Sequence, residues 1–145
     1  MTVYDAQGLV ALFFDEPAAA IVEERLRREG EDACVSCVNV AEMVDRLIRV
    51  FGQSEQQVSD SLDWLTSGGM LLMTADGDMG RLAGEIRARH YRRNGSDVSL
   101  GDCMALSTAI SLGDALATSD PALAAAARQE GVDVLALPDS RGRKP

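Results

Sequence analysis

Four acidic residues stand at points where their chemistry exceeds what packing alone would ask of them. Asp5 follows an apolar opening, TVY; Glu42 lies in the first turn or so of VNVAEMVDRLIRVFG; Asp102 and Asp120 fall within VSLGDCMALSTAISLGDALATSD, residues 98 to 120. If Ser99 caps a helix that ends near Gly113, Asp102 shares a face with Leu106 and Ala109, with Ile110 one step round. A carboxylate on such a buried face is costly unless something pairs with it. Carboxylates that converge also repel one another and raise their own pKa values unless a cation neutralises them. The only lysine is Lys144, near the C-terminus, which excludes P-loop, Schiff-base and receiver-type chemistry. Oxygen donors without soft partners suit a hard divalent ion, Mg²⁺ or Mn²⁺. One such ion, or a pair ~3.5–4 Å apart, polarises a phosphoryl oxygen and generates an attacking hydroxide, which is the chemistry of phosphodiester hydrolysis.

Each acid also has a plainer reading. Asp5 and Asp120 suit helix N-caps, Asp120 especially with Pro121 behind it. Glu42 lies opposite the stripe Val40, Val44, Leu47, Ile48 and Phe51, a place for a solvated side chain, and Asp102 is spaced to close a capping box with Ser99. The signal is the set. Cys34 and Cys37 spell C-x-x-C inside the strand-like run DACVSCVN, where positions three apart face opposite ways ~10 Å from each other, so core cysteines are expected rather than a bridge or metal pair. His90 is the only histidine, which excludes a histidine-based triad or zinc site, and Met70, Met73 and Met79 read as core filling.

Strand-like TVY, DACVSCVN, MLLMTA, ALATS and VDVLAL alternate with helical segments. Pro17 opens a helix that closes at Gly30; Ser54 and Gln57 form a capping box for a helix ending at Gly68-Gly69; a further helix is predicted over 77–95 and another over 121–131. The alternation predicts an α/β fold of three layers, a mostly parallel central sheet of four to five strands flanked by helices. Ligands in such sheets sit beyond the carboxyl ends of the strands, near a switch in strand order. That rule brings Asp5, Glu42, Asp102 and Asp120 to one rim.

The 145 residues, 46% of them hydrophobic, suit a single domain over 1–137, with 138–145 (PDSRGRKP) expected to be a disordered basic tail. No apolar run reaches the ~18 residues of a membrane span, and MTVYDAQG lacks the basic start of a signal peptide, which points to the cytoplasm. Three cysteines make no disulfide framework. A net charge of -9 opposes a polyanionic partner, yet the positive charge is clustered: Arg25, Arg27 and Arg28; Arg87, Arg89, Arg92 and Arg93 with Tyr91; and Arg141, Arg143 and Lys144. Screening to about 8 Å makes the local field matter more than the total. The Arg87–Arg93 group suits either a phosphate backbone or a solvated face that offsets neighbouring acids.

In order and spacing, VYDA, Asn39 to Glu42 (Asn-x-x-Glu), Ser99 to Cys103 (Ser-Leu-Gly-Asp-Cys) and Thr118 to Leu123 (Thr-Ser-Asp-Pro-Ala-Leu) resemble the PIN domain, in particular the VapC toxins of bacterial toxin-antitoxin pairs. The resemblance runs to Leu137. It implies a metal-dependent endoribonuclease in which Asp5, Glu42, Asp102 and Asp120 are the catalytic, metal-binding acids for Mg²⁺ or Mn²⁺. Thr118 or Ser119 would help hold a water at the metal, and structured transfer or ribosomal RNA would be the substrate. It further implies a cognate antitoxin partner and a homodimer, to which the apolar helices over 40–65 are suited. Where the family often carries a small hydroxyl residue two positions after the first Asp, this chain has Gln7. Two other readings come from the residues themselves: a catalytically silent PIN-like protein-interaction module, and a Rossmann-like phosphatase. The second is disfavoured because no D-x-D follows the first strand.

Overall fold

A computed structural model describes residues 1–29, 32–91 and 97–145. Gly30, Arg92 and Arg93 therefore lie outside the described residues. The chain runs β1 (Thr2–Tyr4), α1 (Ala6–Phe13), α2 (Ala19–Glu29), β2 (Ala33–Ser36), α3 (Cys37–Arg49), α4 (Glu55–Ser67), β3 (Leu71–Met73), α5 (Gly77–His90), α6 (Leu100–Leu112), β4 (Ala115–Thr118), α7 (Pro121–Gln129) and β5 (Val134–Ala136). All five strands are parallel, in the order β3-β2-β1-β4-β5. The chain builds leftward from β1 to β3, then crosses back to lay β4 on the other side of β1. The switch in strand order therefore opens between β1 and β4, with Thr2, Val3 and Tyr4 in register with Ala115, Leu116 and Ala117.

Alternation along the strands splits the core in two. Tyr4, Val35 and Ala117 pack under α1 to α4 with Leu9, Val22, Met43, Leu47 and Leu65. Val3, Cys34 and Leu116 face the other way, under α5 to α7 with Ile86, Leu106 and Leu123. Both faces are covered, so the central strands read as continuous apolar runs, as parallel strands must. The methionines serve this packing: Met70 and Met79 are buried and Met73 lies against the second core.

Local signals set most element ends. Ser54 and Gln57 close the expected capping box, and Gly113 ends α6 in the left-handed conformation at φ 71°, where a side chain would be strained. Other expectations are corrected. The run DACVSCVN is a strand only as far as Ser36, whose hydroxyl caps α3 by accepting from the Asn39 amide, so Cys37 begins a helix. Cys34 is buried in β2 and Cys37 is exposed on α3; both are free thiols, as is buried Cys103. The chain passes Pro17 in a turn and α2 starts at Ala19. Helix α5 stops at His90, earlier than expected, with the Tyr91 amide closing on the Arg87 carbonyl. On α3 the buried stripe is Asn39, Met43 and Leu47, while Ile48 is exposed. Apart from these corrections, Asp139 beyond buried Leu137 accepts from the amides of Arg141 and Arg143 and from the Arg143 guanidinium. No helix among the described residues is long and apolar enough to cross a membrane.

Candidate active site

The β1/β4 crevice positions the first acid. Asp5 leaves β1 still paired to β4, its amide donating to the Ala117 carbonyl at 3.2 Å, and then caps α1. One carboxylate oxygen accepts from the Gly8 amide at 2.7 Å and the other from the Thr118 hydroxyl at 2.5 Å. Asp5 is only 2% exposed. Burial pushes its carboxyl up to about 7; the two hydrogen bonds oppose the rise, and the charges of Asp102 and Asp120 add to it. The Thr118 hydroxyl, fully buried, also accepts from the Asp120 amide at 3.0 Å, which locks the end of β4 onto the carboxylate ending β1. Thr118 thus orients Asp5. The neighbouring Ser119 hydroxyl instead donates to Gln7 at 3.2 Å, so Gln7 is spanned to the β4 loop.

The other acids enter from the same rim. Asp120 caps α7, accepting from the Leu123 amide at 2.8 Å with Pro121 at the first helical position. Asp102 closes the capping box of α6: the Ser99 amide donates to it at 2.7 Å and its own amide donates to the Ser99 hydroxyl at 3.0 Å. Leu106 and Ala109, on the same face, are fully buried. Burial raises the Asp102 carboxyl, the Ser99 hydrogen bonds lower it, and the charges of Asp120 and Asp97 raise it again. Glu42 is half-buried rather than solvated, and burial together with the Asp102 charge raises its carboxyl while Arg46 pulls it down. The four plain structural roles are therefore real for three of the acids, and they do not displace the electrostatic one. Among the described residues no ion pair reaches Asp5, Glu42, Asp102 or Asp120.

Two residues outside the acidic set hold it together. Asn39, fully buried, donates through its side-chain amide to the Gly101 carbonyl at 3.1 Å and accepts from the Ser36 hydroxyl at 2.5 Å. This clamp joins α3 to the start of α6 across 62 positions of sequence. Gly101 permits the contact to be close: a Cβ there would stand 2.5 Å from Glu42 Oε2. The Asn-x-x-Glu and Ser-Leu-Gly-Asp motifs contained both residues, but only their contact shows that they serve each other.

The rim brings four carboxylates into mutual repulsion with no ion-pair partner among the described residues, Arg46 acting on Glu42 only through space, and oxygen-only donors in that state have the chemistry of a hard-cation site. Among the described residues no three His, Cys, Asp or Glu side chains close on a single point as ligands around an ion would. Asp102 and Asp120 each commit one carboxylate oxygen to a cap, and no bond within the described residues uses the other.

The arginine clusters are largely spent within the molecule. Arg27 pairs with Glu23 and Glu24, and Arg28 with Glu24. Arg89 reaches Glu130 through two nitrogens at 3.0 Å, with the half-buried His90 at 2.6 Å from the same carboxylate, tying α5 to the end of α7. Arg87 lies over the Tyr91 ring at 4.4 Å.

Comparison with known proteins agrees with this architecture. The crystal structure of VapC20 from Mycobacterium tuberculosis, described as a Sarcin-Ricin loop cleaving toxin, superposes with a TM-score of 0.71 at 16% identity, over 87% of this chain and 95% of that one. A toxin-antitoxin complex from Klebsiella pneumoniae superposes at 0.65 with 17% identity, over 86% and 91%. VapBC2 from Rickettsia felis, bound to a DNA fragment from its promoter, superposes at 0.65 with 15% identity, over 92% and 96%. No curated protein matches the sequence. The sequence profile of the PIN domain matches residues 2–129, which with the five-stranded parallel sheet and its acidic rim places the chain in the PIN domain family.

Proposed function

We propose that this protein is a divalent-metal-dependent endoribonuclease that hydrolyses RNA phosphodiester bonds and acts as the toxin of a toxin-antitoxin pair. One observation carries the catalytic part: burial and mutual repulsion raise the carboxyls of Asp5, Glu42 and Asp102 together, at the strand-order switch, with no ion pair to any of them among the described residues and only the charge of Arg46 offsetting the rise at Glu42. Asp5, Glu42, Asp102 and Asp120 would hold Mg²⁺ or Mn²⁺, which when bound polarises a phosphoryl oxygen and lowers the pKa of water. The chain's own part is placement. Thr118 and Gly8 fix the direction of the Asp5 carboxylate, Ser99 fixes Asp102, and the Asn39–Gly101 clamp fixes the distance between α3 and α6.

The proposed partners are structured RNA, transfer or ribosomal, a cognate antitoxin and a second copy of the chain, in the cytoplasm. The solved toxin-antitoxin complexes of similar fold support the antitoxin. So does Trp64, 51% exposed with Phe13 edge-on at 6.3 Å, between apolar cavities of ≈ 330 and ≈ 350 Å³. Exposed Ile48 and Val50 at the end of α3 are available to a homodimer. The observation that no three acids close on one point favours a second reading, a catalytically silent interaction module.

Cleavage of transfer and ribosomal RNA, measured with and without Mg²⁺ or Mn²⁺ for the wild type and Asp102→Asn, separates the two. The nuclease requires metal-dependent cleavage that the substitution abolishes, and a rise in melting temperature at millimolar metal. Equal turnover by the variant, or neither turnover nor a thermal shift, refutes it.

A further inference from the structure

Beside the acidic rim lies a small cavity of ≈ 120 Å³, lined by Gln7, Glu16, Arg46, Ser119 and Asp139 among others. Each wall that adjoins the rim comes from an element that also supplies an acid. Gln7 is two positions after Asp5 on α1, Arg46 is one helical turn after Glu42 on α3, and Ser119 directly precedes Asp120. The cavity thus neighbours the rim in sequence without being lined by any of the four acids, and it sets a guanidinium, a carboxamide and a hydroxyl beside the carboxylates of Glu16 and Asp139.

Arg46 is the unusual member. Its Nε is buried and makes no hydrogen bond, and no bond or ion pair from its guanidinium occurs within the described residues. Most arginines of this acidic chain behave otherwise, with Arg27, Arg49, Arg81 and Arg143 each held by a carboxylate three or four positions away. No acid among the described residues bonds to Arg46, whose charge reaches Glu42 and Asp45 only through space. Asp139 is saturated by Arg143 and two backbone amides, and neither Asp139 nor Glu16 forms an ion pair with Arg46. A buried N–H of a charged group with no acceptor is an expensive arrangement to keep. An external acceptor removes the cost, and the planar fork of arginine matches a phosphate bidentately. The cavity holds about four water volumes, the size of a phosphate rather than a nucleoside.

We infer that Arg46, with Gln7 and Ser119, binds a phosphate of the RNA strand adjacent to the one cleaved, and so sets the register of the substrate on the rim. The inference rests on the nuclease reading and adds to it a residue that binds substrate without touching the reacting atoms. Its contact with the strand persists in ground state and transition state alike, so loss of Arg46 raises KM, while loss of its charge near Glu42 raises that carboxyl further.

The test is binding of a fluorescein-labelled 12-nucleotide RNA of mixed sequence by anisotropy, over a range of salt, in an Asp5→Asn background that prevents turnover. Adding Arg46→Ala is expected to weaken binding about tenfold or more, and to reduce the slope of log K against log salt by about 0.7, the signature of one lost contact to a single strand. Arg46→Lys keeps the charge and loses the fork, so it retains the slope and part of the affinity. Melting temperatures of all variants should stay close together, because removing an unsatisfied buried N–H does not cost stability. Unchanged affinity and slope on Arg46→Ala overturn this inference and leave the nuclease reading standing. Absence of RNA binding in the Asp5→Asn background overturns it as well, and cleavage by the wild type then decides the nuclease reading separately.

Discussion

Replacing Asp5 with Asn should make the protein more stable as well as inactive, and the gain should depend on pH. Asp5 carries an ordinary carboxyl pKa near 3.8 when unfolded and about 7 when folded. Between those values the folded state binds more protons than the unfolded one, so stability falls as pH rises through the interval and is flat on either side. The full loss is about 4 kcal/mol at 1.36 kcal/mol per pKa unit. Asparagine is as good an N-cap and carries no charge, yet it presents an amide N–H₂ toward Thr118 where a carboxylate accepted, so a gain of about 2–4 kcal/mol is expected at pH 8. For a chain of this length that is at least ~5 °C in melting temperature. The assay is urea unfolding of wild type and Asp5→Asn in EDTA from pH 4 to pH 8. The two stabilities should converge near pH 4 and diverge with rising pH, with Mg²⁺ or Mn²⁺ raising the wild type more than the variant. Glu42 and Asp102 titrate upward in both proteins and largely cancel in the difference. Parallel curves across this range would refute the reasoning, since they would mean that Asp5 is not held against its charge.

Two further substitutions probe the parts that aim the acids. Gly101→Ala places a methyl group 2.5 Å from the flexible end of Glu42. The carboxylate should move while the helix gains up to ~1 kcal/mol of propensity, so cleavage falls at nearly unchanged melting temperature; equal cleavage would show that the Glu42 position is not critical. Thr118→Val removes the donor that lowers the Asp5 carboxyl and the acceptor for the Asp120 amide. It should cost about 1–3 kcal/mol and move the acidic limb of the pH-rate profile to higher pH, and an unshifted limb would separate Asp5 from catalysis.

The amino-acid sequence alone determined what depends on near neighbours. Ser54 with Gln57, Ser99 with Asp102, and Gly113 set helix ends through bonds three or four residues long, and those ends stand as read. The apolar runs between them required a sheet covered on both faces, and the alternation of types made it parallel. Where one run could serve two elements, as at Val35 to Asn39, local pattern could not divide strand from helix; Ser36 divided them by capping α3. The long-range contacts depend instead on which strands become neighbours. The return of β4 to the side of β1 brings the Thr118 hydroxyl to Asp5 across 113 positions, and the packing of α3 on α6 brings Asn39 to Gly101. Burial follows from the same packing, and burial is what turns Asp5 from a helix cap into a carboxyl with a pKa of about 7, because the cost of charge depends on how much water the whole fold excludes.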